Sequence, residues 1–305
     1  MAKPINNLEQ KILNELKNPK CMNELKKFGK TKQVKAYLRN LKEKGFPISY
    51  KNGYYFLNIN GNSPTNNTYK MDIPKYFIFG AIGDTHLASK YERLDLLNDM
   101  YDFFESEGVE TIFHTGDLLQ GVGIYSGEAS DLKYFTLEDQ INYAVENYPK
   151  RDNITTYTIA GNHDLKQFER GKSPNPIKII SQQRDDIKHM GDYYTKVLDK
   201  SNNISIDLLH PSFSSCYCIA YHGQKYIEKL TPGTEPDIIL QGHTHDTLYM
   251  FYRGVHYLKT GTFQDQNPFS LRKGLISILG GWLVEIKHNG EEIEEFKPLL
   301  KTYSF

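Results

Sequence analysis

The sequence predicts an α/β protein, a mixed sheet or sandwich flanked by helices, preceded by a small separate N-terminal module. Three observations carry this reading. From residue 75 onward, short apolar runs alternate with amphipathic segments, as strands alternate with helices. Several of those runs end in a glycine followed by Asp, Asn or His. The first 58 residues have a different periodicity and the opposite charge. Residues 1–70 hold 14 Lys/Arg against 4 Asp/Glu, and the remainder hold 23 against 33, so the formal net charge of zero over 305 residues hides two unlike parts. A basic module attached to an acidic one suggests two jobs, the basic one fitting nucleic acid or another polyanion; a Lys-rich solvated helix face is the plainer alternative.

In the N-terminal part, Glu9 to Leu16 places Ile12, Leu13 and Leu16 on one helical face, and Asn18-Pro19 breaks it. Cys21 to Phe28 reads as a short helix closed by Gly29. Thr31 suits the N-cap of a third helix, Lys32 to Lys44, which buries Val34, Leu38 and Leu41 and exposes Lys32, Lys35, Arg39 and Lys42. Phe46 to Leu57 reads as a hairpin turning at Asn52-Gly53. Residues 60–72 are polar and turn-rich and read as a linker. The expected division is therefore 1–59, a 60–72 linker, and 73–305.

In the large part, Tyr76 to Ile82 is a continuous apolar run, as a buried strand should be. Tyr91 to Glu105 is an amphipathic helix. Strands are expected over Val109–His114, Ile154–Ala160, Cys216–Tyr221, Ile238–Leu240, Thr247–Tyr252 and Gly281–Ile286. Residues 121–135 and 165–175 read as excursions beside a site.

Composition excludes other classes. No stretch approaches the roughly 20 apolar residues of a membrane helix, and the first residues lack the apolar core of a signal peptide. The three cysteines, Cys21, Cys216 and Cys218, have the wrong spacing for a zinc site and read as small buried side chains in a reducing, cytoplasmic location.

The chemistry-bearing residues follow the expected strands, where α/β folds place ligands. They are Gly83-Asp84-Thr85-His86, Gly116-Asp117, Gly161-Asn162-His163-Asp164, Tyr221-His222-Gly223 and Gly242-His243-Thr244-His245, and they hold five of the ten histidines. Carboxylate, imidazole and amide donors together suit Mn, Fe or Zn. A pair of dications needs a shared anionic ligand, which a carboxylate can be. A lone histidine is usually incidental; the ordered set argues otherwise. His114, His189, His210, His256 and His288 read as core, structural or exposed residues.

The ordered fragments resemble the calcineurin-like metallophosphoesterase family, over about residues 76 to 265. The resemblance implies a metallophosphoesterase-type β-sandwich flanked by helices and two divalent metal ions, Mn with Fe or Zn as alternatives. It implies that Asp84, His86 and His245 hold the first ion, that Asn162, His222 and His243 hold the second, and that Asp117 bridges them. It also implies that His163 assists the leaving oxygen, that Asp164 orients His163, and that a metal-generated hydroxide attacks phosphorus without a covalent enzyme intermediate. The run Leu118-Leu119-Gln120-Gly121 and the Asp at 164 depart from the Ser/Thr phosphatase pattern. The Phe113-His114-Thr115-Gly116-Asp117-Leu118 segment is more similar to SbcD-type DNA repair nucleases. The N-terminal three helices and hairpin resemble a winged helix-turn-helix of the biotin-repressor type.

The expected function is thus a DNA phosphodiesterase or nuclease, with Lys32, Lys35, Arg39 and Lys42 contacting nucleic acid. Two alternatives stand beside it: a phosphomonoesterase or small-nucleotide phosphodiesterase whose N-terminal module docks protein, and a non-catalytic DNA-binding regulator. DNA is the expected partner, no membrane is involved, and a homodimer is compatible with the sequence. An ATPase partner is not expected, because no extended C-terminal region follows the site motifs.

Overall fold

In the computed structural model, which describes residues 6–44, 46, 48–51, 53–57, 68–201, 203–213, 216–231 and 233–304, the chain divides into two units. One comprises Met1–Asn66, Gln224–Pro236 and Tyr252–Val255; the other comprises Asn67–Gly223, Asp237–Phe251 and His256–Phe305.

The smaller unit opens with α1 (Asn7–Glu15), started by a capping box in which the Asn6 side chain accepts from Glu9 N and the Glu9 carboxylate accepts from Asn6 N, both at 2.8 Å. Then come β1 (Lys20–Cys21), α2 (Met22–Leu25) with a 3-10 turn over Lys26–Phe28, and α3 (Thr31–Glu43). Helix α3 begins one residue earlier than expected. Lys30 holds the cap position, and its N–H donates to Gln33 Oε1 at 2.9 Å, so Thr31 lies inside the first turn. Strands β2 (Ile48–Lys51) and β3 (Tyr54–Leu57) pair antiparallel, with β1 on the far side of β3. Gly53 turns this hairpin at φ 88°; Asn52 lies outside the described residues. Ile12, Leu13, Leu16, Leu25, Val34, Leu38, Leu41 and Ile48 form the core. The opposite face of α3 exposes Lys32, Lys35, Arg39 and Lys42.

The larger unit holds β4 (Thr68–Met71), β5 (Tyr76–Ile82), α4 (Leu94–Ser106), β6 (Thr111–His114), α5 (Leu137–Asn147), β7 (Thr155–Ala160), α6 (Asn162–Glu169), α7 (Pro176–Gln183), β8 (Ile187–Asp192), β9 (Tyr194–Asp199) and β10 (Ser205–Leu209). Helix α8 (Tyr221–Lys229) follows in the chain, its residues from Gln224 on belonging to the smaller unit as Tyr252 and Val255 do, then β11 (Ile238–Gln241), β12 (Thr247–Tyr252), β13 (Val255–Thr260), α9 (Pro268–Lys273), β14 (Gly280–His288) and β15 (Ile293–Thr302). The strands form two six-stranded mixed sheets, ordered β12-β13-β11-β10-β9-β4 and β15-β14-β5-β6-β7-β8. Strands β5 to β8 are parallel, and β14 runs antiparallel to β5.

The core sits in two layers. Between the sheets, Phe79, Ala81, Phe113 and Ile159 meet Val197, Ile206, Leu208, Leu240 and Leu258. On the other face of the second sheet, Leu97, Met100, Phe104, Ile141 and Ile180 from the helices cover Ile82, Ile112 and Leu283. Full burial of each large apolar side chain contributes about 1.5–3 kcal/mol.

Two expectations are corrected. Residues 68–71, read as linker, form β4 and pair in parallel with β9; residues 60–67 lie outside the described ones. Residues 216–221, read as a strand of buried cysteines, form turns that enter α8. Cys218 is exposed and Cys216 partly so. Gly223 is required there by close approach, because a Cβ would strike the Tyr257 ring.

Candidate metal centre

The carboxyl ends of β5, β6, β7, β10 and β11 each deliver donor residues within a few positions, as open α/β sheets do. Five donors, Asp84, His86, Asp117, His243 and His245, have positive φ, between 45° and 78°. They are five of the eight non-glycine residues with positive φ among those described. A left-handed backbone costs on the order of 1–3 kcal/mol for such residues, and it persists where the surroundings over-determine it.

Three groups of donor atoms lie within 4.8 Å of one another: Asp84, His86 and His245; His86, Asp117 and His163; and Asp117, His210 and His243. Asp117 belongs to two of them. Its Oδ1 accepts from His163 N at 2.8 Å, while its Oδ2 stands 3.1 Å from His210 Nε2 and 3.9 Å from His86 Nε2. One oxygen is fixed by backbone and the other is presented to both halves of the site. Asp84 is fixed similarly, accepting from His243 N at 2.9 and 3.0 Å. Asp84, His86, Asp117 and His210 are buried, and Asn162, His163, His243 and His245 are partly open to solvent.

The donors fit a pair of divalent cations. His86 Nε2 and His245 Nε2 stand 3.0 Å apart, with Asp84 Oδ1 at 3.3 Å from the latter. Burial, then the neighbouring His163 and His245, holds His86 well below the ordinary histidine pKa, so its ring is neutral. Its buried Nδ1 has no hydrogen-bond partner, which leaves Nε2 as the ring's one engaged atom. Two imidazole nitrogens this close, flanked by carboxylates, share a proton or face a common cation, and the anionic surroundings favour the cation.

The second group differs from expectation. His222 lies in α8, its ring stacked on Phe213 at 4.3 Å and 21°, and it belongs to none of the three groups. The third group contains His210 instead. Its Nδ1–H donates to Thr115 O at 2.8 Å, which aims Nε2 at Asp117 and at Asn162 Oδ1, 3.1 Å away. Burial lowers its pKa, but the Asp117 carboxylate outweighs this and raises it to about 9, so a cation at Nε2 must displace a proton. His210 directly follows β10, obeying the strand-then-ligand rule that located the other donors; the buried Ser205 and Asp207 broke the apolar signature of that strand.

Asp164 also differs in role. Its carboxylate accepts from Gly161 N at 2.8 Å, Leu119 N at 2.8 Å and Leu118 N at 3.3 Å, tying the β6 loop to the start of α6. Burial, then Asp117, pushes it up to about 7. The group that orients His163 is the Gln120 carbonyl, which accepts from His163 Nδ1 at 2.7 Å. Gly161 is required by close approach, because a Cβ there would collide with the Asp117 carboxylate and lie 2.8 Å from His210 Cε1.

The profile of the calcineurin-like phosphoesterase family matches residues 77–247, more than half of the chain. The DNA polymerase II small subunit of Methanocaldococcus jannaschii is 27% identical over 251 residues, covering 68% of this chain and 41% of that protein. The protein of the same name from Archaeoglobus fulgidus is 25% identical over 287 residues, covering 77% of this chain and 54% of that protein. The chain therefore spans about half the length of these relatives. Among solved structures, an archaeal phosphodiesterase aligns with 74% of this chain and 100% of its own at 15% identity and a TM-score of 0.41.

Proposed function

Because the chain belongs to the calcineurin-like phosphoesterase family, we propose that it is a dinuclear-metal-dependent phosphodiesterase acting on DNA. The observation that carries the chemistry is the shared carboxylate: Asp117 stands in two donor groups, with His163 at their open side. Asp84, His86 and His245 would hold one divalent ion, and Asp117, Asn162, His210 and His243 the other. When bound, such ions supply electrophilic polarisation of the phosphoryl group and activation of water. The protein does the rest. Asp84 and Asp117 place negative charge where the cations sit and are themselves held by backbone N–H groups. His163, with Nδ1 committed to Gln120, keeps Nε2 free to give a proton to the departing ester oxygen.

Two features support DNA as the substrate. The relatives are named as subunits of a DNA polymerase. The smaller unit runs helix, strand, helix, helix, hairpin, an order that fits a winged helix, and α3 exposes Lys32, Lys35, Arg39 and Lys42 opposite its apolar face. The relatives' name favours a second, compatible reading, in which the chain works within a DNA-polymerase assembly in the cytoplasm. Among the described residues no helix is long and apolar enough to cross a membrane.

The test is hydrolysis with Mn of four substrates: labelled single-stranded DNA, labelled double-stranded DNA, an aryl phosphodiester and an aryl phosphomonoester. Cleavage of DNA and of the diester, lost in Asp117→Ala, supports the reading. Hydrolysis of the monoester with DNA untouched moves the substrate to a small molecule or phosphoprotein.

A further inference from the structure

Helix α6 (Asn162–Glu169) carries Asn162 and His163 in its first turn, and it continues directly into Arg170, Gly171 and Lys172. Its buried side is marked by Asp164 and Leu165. At 100° per residue, His163, Lys166 and Arg170 fall together on the opposite side. Arg170 and Lys172 are exposed and Lys166 is partly exposed. Their heads make no ion pair among the described residues, whereas Arg93, Lys133, Arg151, Arg184, Lys259 and Lys301 of the same unit each hold a carboxylate. The neighbouring acid, Glu169, is engaged by the Tyr193 hydroxyl, which donates to its Oε1 at 2.7 Å, and forms no ion pair with them. Gln167 spans to the Val122 carbonyl, and Arg170 Nη1 stands beside Gly123, so the loop that carries the His163-orienting Gln120 flanks this strip.

Sequence charge makes the strip notable. Residues 71–305 hold 23 Lys/Arg against 33 Asp/Glu, so the net charge of this part of the chain opposes a polyanion. Unpaired cations beside His163, one of the partly open imidazoles of the site, give it a place to lie. With a rise of about 1.5 Å per residue, the seven steps from His163 to Arg170 span roughly 10 Å. A duplex carries one charge per strand about every 3.4 Å of its axis and an unstacked single strand spaces its phosphates more widely, so that length meets about two phosphates of one strand.

We propose that Lys166, Arg170 and Lys172 form a phosphate track for a single DNA strand, holding the phosphates next to the scissile one while that one sits at His163. This rests on the phosphodiesterase reading above and adds to it: the polymer is selected over a small diester at the rim of the active site, independently of α3 in the smaller unit. A one-phosphate ester reaches the site without using the track.

The test uses the full chain with Mn, a labelled single-stranded oligonucleotide and a bis-aryl phosphodiester, comparing wild type with Lys166→Gln/Arg170→Gln and with the charge-reversed Lys166→Glu/Arg170→Glu. The expected result is a fall of tenfold or more in the ratio of kcat/KM on DNA to kcat/KM on the diester, larger for the reversed pair. The dependence of log KM for DNA on log salt should flatten by about 0.7 per charge removed. An unchanged ratio and slope in a wild type that cleaves DNA would overturn the track and leave the phosphodiesterase reading standing. A wild type that cleaves the diester and no DNA would overturn both the DNA reading and the track.

Discussion

His86 Nε2 and His245 Nε2 stand 3.0 Å apart although their residues are 159 positions apart in sequence. One ring comes from the turn after β5 and the other from the turn after β11, and both residues sit in left-handed backbone. Strain at both ends of one contact marks a site held in shape by the fold. A bound cation would stabilise the fold in return. At a metal concentration 100-fold above Kd, each occupied site should add about 2.7 kcal/mol. Thermal melts with and without Mn should therefore differ by several degrees in wild type, and the difference should shrink by half or more in His86→Ala.

His210 and His222 separate the observed site from the one the motif suggested. His210→Ala should weaken one of two metal sites by at least about tenfold and cut phosphodiester hydrolysis by about 100-fold or more. His222→Ala removes a ring stacked on Phe213 and should stay within about threefold of wild type. Steady-state kinetics on both variants decides this; equal losses would restore His222 to the site.

His163 should act on the rate and not on the metals. His163→Gln should lower kcat by about 100- to 10,000-fold while the metal content stays at the wild-type value. Asp164→Asn should behave differently, as loss of a scaffold. Its carboxylate receives three backbone N–H groups, so a lower Tm should accompany any loss of activity.

Much of this was legible in the sequence. Strands β5, β6 and β7 are each followed within two residues by a glycine, and that pattern picks out Asp84, Asp117 and Asn162, which the structure brings to one end of the sheet. The segment from 187 to 210 was not legible. Strand β9 alternates Thr195, Val197 and Asp199 inward with Tyr194, Lys196 and Leu198 half-open, and β10 buries Ser205 and Asp207, so neither shows a continuous apolar signal. The opposite error occurred at 216–221, where apolar residues and a following His-Gly suggested a strand with a ligand, although the chain turns there into α8.

His256 supplies a pH test away from the metals. Its ring lies 3.8 Å from Phe296 and 4.6 Å from Phe251, its Nδ1 is 3.0 Å from the Tyr249 hydroxyl, and the Asp237 carboxylate acts on it in the opposite sense to burial. Burial lowers its pKa from 6.5 to about 4. The unfolded chain therefore takes a proton before the folded one does. This histidine costs no stability above pH 6.5, and it removes stability as pH falls from 6.5 to about 4. His256→Phe should be progressively more stable than wild type as pH drops from 7 to 4.5, read as a widening Tm gap. A constant gap would contradict the neutral, stacked ring.

In the proposed two-ion site Asp117 is shared and His210 completes the second half. Equilibrium Mn titration of the full chain tests it most directly, run on wild type, His210→Ala and Asp117→Asn. Wild type should bind two ions per chain, His210→Ala one, and Asp117→Asn both more weakly. A single ion in wild type, or two undiminished ions in His210→Ala, would contradict it.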